Sequence, residues 1–387
     1  VAKFDVIVIG LGAIGSAALY QLSRRGARVA GFDRFSPPHD LGSSHGDTRI
    51  TRLAIGEGEH YTPLVRRSHE IWRDLEKETG ASLLTQCGEL IISSAARKSS
   101  LHVEGFFDNT VEAARKHGIA HELLDANQIR ARFPQFNIRD DEIGYFEPEA
   151  GFVRPEACIA AELSLAEKHG ADVHRDEPVL SFVPSANGVS VTTDRGTYRA
   201  DKIIVSAGAW FPKLVGGQFE TLLRVYRQVI NWFDVDGDAS LYTPQHFPVF
   251  IWELADLEHG VYGFPVIDGS GVKVANEQYA ETTSPDAVAR AVSPEEIADM
   301  HARAVAANIK GLSARSTKTT VCLYTVTPDA GFIIDHWPQS DRVILASCCS
   351  GHGFKHSAAI GELLADMAEN RAPAVDPAPF RLARFGV

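Results

Sequence analysis

The 387-residue chain is poor in the features that mark a secreted, membrane or nucleic-acid-binding protein. It has only five cysteines, at 87, 158, 322, 348 and 349, with one adjacent pair and no metal-ligand spacing. An odd, scattered set makes no disulfide framework and points to a reducing compartment. No apolar run is long enough to span a bilayer. The chain opens directly into a strand, with no basic stretch and cleavable apolar segment ahead of it, so no secretory signal is expected. Positive charge is in deficit: 38 Lys and Arg against 50 Asp and Glu leave a net charge of −12. That balance disfavours nucleic acid and anionic membranes as partners. A local pair of cations is still enough to hold an anionic small molecule. The expectation is a cytoplasmic protein with no nucleic-acid or membrane partner and no metal.

At this length two domains are expected, and they need not be consecutive. The run FDVIVIG is continuously apolar, as suits a parallel strand buried on both faces. It enters GLGAIG, where Gly10, Gly12 and Gly15 have the G-x-G-x-x-G spacing. SAALYQLSRR then reads as a helix stopped by Gly26, and ARVAGFD as a second strand ending in Asp33. Each part has a physical task. Gly10 makes the tight turn, Gly12 lets backbone amides approach a pyrophosphate, and Gly15 lets helix and strand pack closely. Asp33 can accept from a ribose hydroxyl. A lone glycine triplet is weak evidence, but strand, helix, second strand and terminal acid together indicate a dinucleotide site. The fingerprint does not separate NAD from FAD.

Beyond Asp33, Pro37 and Pro38 forbid helix, and a Gly/Ser cluster reads as an ordered loop. Asp47 or Thr48 is placed to cap a helix beginning near Arg49, which would set Arg49 and Arg52 on one face. Two cations there suggest an anion site. The alternative is a solvated basic face partnered by Glu57 and Glu59. PLVRRSHEIWRDLEKET and ACIAAELSLAEKHG read as helices, and IIVSAG as a buried strand that rejoins the first sheet. VINWFDV, FPVFIWEL, GVYGFPV and GVKVANEQY read as one mostly antiparallel sheet. Ser293 with Glu296 forms a capping-box pattern. In DRVILASCCSGHGFKHSAAIGELLADMA a strand, small-residue turn and helix make a second ligand-binding turn. In TKTTVCLYTVTPD, alternation puts Thr320, Cys322 and Tyr324 on one strand face, and Val321 and Leu323 on the other. The sulfur therefore sits on the more polar face.

GLGAIG, PPHDLGSSHGDTR with LAIGEGEHYTPL, YGFP, VCLYTVTPD with FIID, SGHGFK and the closing PFRLARF carry a resemblance along nearly the whole chain. The sequence resembles the monomeric sarcosine oxidases and N-methyltryptophan oxidases. The resemblance implies a mixed α/β flavoprotein: a Rossmann-like FAD-binding domain with an interleaved substrate domain on a mostly antiparallel sheet. The implied boundaries are 1–80, 145–215 and 320–387 for the FAD domain, and 81–144 and 216–319 for the substrate domain. It also implies a monomer. The activity implied is oxidation of the C–N bond of a secondary amino acid, with electrons passing through FAD to O2 and peroxide released.

The implied residue roles follow position by position. Cys322 matches the cysteine that links covalently to the flavin 8α-methyl group. Arg52 and Lys355 match a pair that holds the substrate carboxylate, with Tyr324 nearby. His45 and Arg49 match a basic pair beside the flavin, and Lys273 a lysine that helps oxygen accept electrons. Tyr262 matches an active-site tyrosine, although packing is the commoner role for a strand tyrosine. Arg34, Ser43, Gly351, Gly353 and Phe354 join the glycines, Asp33 and Lys355 as cofactor contacts. One departure stands out: Glu277 occupies the place of a family histidine, on the Lys273 side of its strand. Ser44 also replaces a histidine, beside His45. Two rival readings remain at this stage: a flavin dehydrogenase with another acceptor, and a non-catalytic FAD-binding protein.

Overall fold

A computed structural model describes residues 3–94, 103–255 and 257–386. The opening strand Lys3–Ile9 is buried from Val6 onward. It pairs in parallel with Val29–Phe32 on one side and Thr197–Val205 on the other. Asp172–His174 and Ser340–Ser347 extend this parallel core. Val179–Ser185, Gly188–Thr193 and Ile333–Trp337 add antiparallel edges, completing eight strands. IIVSAG thus rejoins the first sheet, as its apolar run predicted. The first helix, Ala13–Arg24, packs against Pro155–Lys168 and Ser357–Ala368 through Leu19, Leu22, Ile159, Leu163 and Leu363. A Cβ at Gly361 would run into the Ala17 backbone, so that glycine sets the close approach of the first and last helices.

A second eight-stranded sheet runs in the order Leu312–Val326, Arg224–Val235, Val272–Asn276, Val261–Phe264, Val249–Trp252, Glu89–Ser94, Glu142–Glu147, Glu122–Leu124. Its pairs are antiparallel except Val249–Trp252 with Glu89–Ser94. Cys322 lies opposite Gln228, and Tyr324 opposite Tyr226. The alternation expected for this strand holds. Cys322 and Tyr324 pack with Ile230, Trp232 and Ala275, while Leu323 turns the other way toward Ala209 and Val225. The Ser293–Glu296 capping box is also present, opening the helix Pro294–Met300.

One local expectation fails. Arg49 does not start a helix; Arg49–Thr51 is a strand paired antiparallel with Gly151–Val153 in a small third sheet. Gly46 and Asp47 take positive φ values of 92° and 69°, turning the chain sharply just before it. Thr48 spends its hydroxyl on Lys273 instead of capping a helix. Arg49 and Arg52 accordingly share no helix face.

Candidate active site

A cavity of about 560 Å³ is lined at one end by Gly10, Gly12, Ala13 and Asp33. Its lining also includes Arg49, Arg52, Tyr262, Glu277, Tyr324 and Lys355. The two ends meet different chemistry.

At the glycine end the backbone is built for close approach. A Cβ at Gly10 would lie 2.6 Å from the Ser206 carbonyl oxygen, and one at Gly15 would collide with the Gly10 carbonyl. A Cβ at Gly12 would meet nothing nearer than Ser44 Oγ at 3.8 Å. Gly12 is also the N-cap of the first helix, which has no side-chain cap and no acid in its first turn. That leaves the amide-rich helix start available to a phosphate. Asp33 accepts from the Leu11 amide at 2.7 Å and the Phe35 amide at 2.9 Å, so it pins the glycine turn. A carboxylate has lone pairs to spare for a sugar hydroxyl as well. Arg34 pairs with Asp286 at 2.8 Å and lies over the Trp210 ring. From the far end of the chain, Gly351, Gly353, Phe354 and Lys355 line the same cavity. A Cβ at Gly353 would strike the Cys348 carbonyl. These residues fit a dinucleotide such as FAD.

At the other end, Cys322 Sγ lies 3.4 Å from the Ser43 carbonyl and receives a hydrogen bond from Arg49 Nη2 at 3.3 Å. Arg49 is held in turn by the Ser43 and Thr48 carbonyls at 2.8 and 2.7 Å. The Tyr262 and Tyr324 hydroxyls are 3.3 Å apart. Burial raises both phenols, Tyr262 to about 12, so both stay protonated donors at neutral pH.

Cys322, His45 and Lys273 are buried but are not among the residues that line the cavity. Lys273 Nζ donates to the Gly46 and Thr48 carbonyls, both at 2.8 Å, and to Thr48 Oγ1 at 3.1 Å. It clamps the turn that carries His45 and Arg49. Burial, and next the Arg49 charge, push its pKa well below the usual lysine range. His45 departs from expectation. Burial first, then Arg49 and Lys273, lower its pKa to about 3, so it is neutral. The positive field expected of the His45–Arg49 pair comes from Arg49 alone.

Glu277 follows the end of the strand Val272–Asn276, is buried, and lines the cavity. Tyr279 hydrogen-bonds to it, and burial followed by this carboxylate raises the Tyr279 pKa. Tyr262 and Tyr324 stand close enough to feel the same charge. The expectation that Lys273 and Glu277 share one strand face is not met: the strand ends at Asn276, and the lysine goes to the turn at 46–48 while the acid goes to the cavity.

Arg52 and Lys355 do come together, although 303 positions separate them, and a carboxylate bridges them. Glu57 Oε2 accepts from Arg52 Nη2 at 2.7 Å, and Oε1 lies 3.3 Å from Lys355 Nζ. Burial, opposed by Glu57, brings the Lys355 pKa down to about 8. The solvated basic face with Glu57 and Glu59 is therefore half right. Glu57 is the partner of Arg52 but is buried, whereas Glu59 is exposed and pairs with Lys116. Glu147 pins the next residues by accepting from the Leu53 and Ala54 amides. Sequence reasoning missed the bridging role of Glu57 and all of Glu89 and Glu147, the acids around Arg52. The only sequence signal is an acid between two glycines in GEGE.

The sequence profile of the FAD dependent oxidoreductase family (DAO) matches residues 5–367. Monomeric sarcosine oxidase from Streptomyces avermitilis is 40% identical over 94% of this chain and 93% of its own length. N-methyl-L-tryptophan oxidase from Citrobacter koseri is 35% identical over 99% of both. The chain belongs to the monomeric sarcosine oxidase and N-methyltryptophan oxidase family of FAD-dependent oxidoreductases. FAD, not NAD, is the cofactor that the glycine fingerprint serves. Among solved structures, NikD, an unusual amino acid oxidase essential for nikkomycin biosynthesis, superposes with a TM-score of 0.83 at 24% identity. That match covers 98% of each chain and supports the family's fold. Among the described residues, no helix is long and apolar enough to cross a membrane.

Proposed function

We propose that this protein is an oxidase acting on the C–N bond of an N-methyl or cyclic secondary amino acid, with O2 as acceptor. The products are H2O2 and an imine that hydrolyses to an aldehyde and an amine. The supporting observation is the pairing of Arg52 with Lys355 on the wall of a cavity that also holds Arg49, Tyr262 and Tyr324. Gly10, Gly12 and Asp33 would hold FAD, which when bound would supply the acceptor for the electron pair leaving the substrate carbon. The protein supplies the rest. Arg52 and Lys355 exchange Glu57 for the substrate carboxylate, and the cations disfavour a protonated amine, so the substrate nitrogen sheds its proton before oxidation. Arg49 orients the Cys322 sulfur for attachment of the flavin. The protein works as a cytoplasmic monomer. Under air, one H2O2 should form per amine consumed. Substrate turnover with another electron acceptor and no peroxide would point to a dehydrogenase instead.

Glu277 selects among such substrates. A buried carboxylate among Tyr262, Tyr279 and Tyr324 favours a substrate with an additional amino, hydroxyl or sugar-like group and disfavours plain sarcosine. A hydrogen-bonding partner lost from a buried site costs about 1–3 kcal/mol, or roughly ten- to hundredfold in selectivity. Glu277→His should therefore raise kcat/KM for sarcosine and lower it for polar N-alkyl amino acids. If sarcosine is already the best substrate and the histidine variant handles it no better, Glu277 is a neutral replacement.

A further inference from the structure

The substrate anchor has a buried acid behind it. Glu89 opens the strand Glu89–Ser94, is fully buried, and sets its Oε1 3.6 Å from Arg52 Nη1. Neither Glu89 oxygen accepts a hydrogen bond among the described residues. Arg52 and Glu57 line the cavity, and Glu89 does not. The other Arg52 nitrogens are engaged, Nε by the Ala54 carbonyl at 3.2 Å and Nη2 by Glu57. The guanidinium is thus divided between an acid on the cavity wall and one at its back. An ionised Glu89 without hydrogen-bond donors depends on Arg52 for compensation, whereas a protonated Glu89 does not.

We propose that Glu89 is a positioning residue that couples substrate binding to one proton. When it is protonated, Arg52 is free to take the substrate carboxylate; when it is ionised, Arg52 is held back from the cavity. The inference rests on the reading of Arg52 as the carboxylate anchor.

Among the described residues four charged groups act on Glu89: Arg52 from the segment after Arg49–Thr51, Glu57 from the glycine-flanked loop, Glu147 from Glu142–Glu147, and Lys355; Tyr145 and Cys87 also feel it, and burial raises the pKa of both. Burial first, opposed by Arg52 and reinforced by Glu147, raises the Glu89 pKa to about 8. Burial raises Glu147 too, while its oxygens accept from two amides and from the Tyr145 hydroxyl. Lys355 loses its charge over the same pH range and the Glu89 charge helps to hold it, so the ratio is also measured in a Lys355→Met background, where its pH dependence should persist.

The test is propionate binding to the FAD-loaded enzyme, followed by flavin absorbance. Propionate has a carboxylate and no amine to titrate. Glu89→Gln should bind it like the wild type near about pH 7 and about tenfold tighter near about pH 9, where only about a tenth of wild-type molecules keep the proton. A wild-type-to-variant ratio of Kd values that is constant with pH overturns the proposal and leaves Glu89 as a structural prop. If Glu89→Gln does not fold, Glu89→Leu gives the same ratio without a buried polar group. Arg52→Ala separates the two ideas. Unchanged propionate binding in that variant defeats the anchor reading and the coupling with it; lost binding with a flat ratio defeats only the coupling.

Discussion

Acid precipitation should leave the wild-type pellet yellow and the Cys322→Ala pellet colourless, and only the wild-type intact mass should exceed the chain by one FAD. The expectation comes from the company the sulfur keeps. All five cysteines are free, but they differ in surroundings. Cys158 is buried in the core of the first sheet's helices, and Cys348 lies within 3.7 Å of the Ile333 carbonyl. Burial pushes the Cys87 thiol up to about 11. Among the described residues Cys322 alone receives a guanidinium hydrogen bond, from Arg49, beside cavity-lining Ser43 and Tyr324. Cys348 and Cys349 are the competitors, because both line the cavity themselves. Cys348→Ala and Cys349→Ala should keep their colour in the pellet. A coloured Cys322→Ala pellet would transfer the linkage to another thiol.

Lys273→Met should slow reoxidation of the reduced enzyme by O2 by orders of magnitude and change anaerobic reduction by substrate far less. A positive charge lowers the barrier wherever negative charge develops on oxygen, most strongly where water is excluded, and Lys273 supplies one whenever its nitrogen carries the proton that burial and Arg49 disfavour. Lys273 is buried, 4.3 Å from the centre of the Phe264 ring, and three protein oxygens hold its Nζ in place. Those three bonds also make a competing case, since they hold the turn that carries His45 and Arg49. Stopped-flow measurement of the two half-reactions separates the roles. Equal loss in both would make Lys273 a clamp for that turn and nothing more.

The glycine-rich strand–helix–strand unit was legible because its signals are local. Gly10 turns the chain at positive φ, a Cβ at Gly15 would strike the Gly10 carbonyl, and Asp33 holds the Leu11 amide, all within one strand–helix–strand unit. The capping box at Ser293 and the alternation around Cys322 were legible for the same reason. What escaped depends on distant partners. The strand Arg49–Thr51 exists because it pairs with Gly151–Val153, about a hundred residues on, and that pairing outweighs a local cap signal. The neutrality of His45 follows from burial beside Arg49 and Lys273, the latter more than two hundred residues away. Glu57 looked like a solvated partner because charge spacing cannot reveal that its side chain alone turns inward, between Arg52 and Lys355, while Glu59 stays exposed. Glu89 gave no sign at all: an acid at the start of a strand reads as an edge residue until the sheet closes over it.

The central claim is that a secondary amino acid reduces the bound flavin. Its most direct test is anaerobic titration of the FAD-loaded protein with N-methyl amino acids, pipecolate, proline and sugar-amine adducts, followed by flavin absorbance. The account predicts that at least one secondary amino acid bleaches the flavin and that admitting air restores the colour with release of H2O2. A flavin that no secondary amine bleaches, in a protein that still holds FAD, would contradict it.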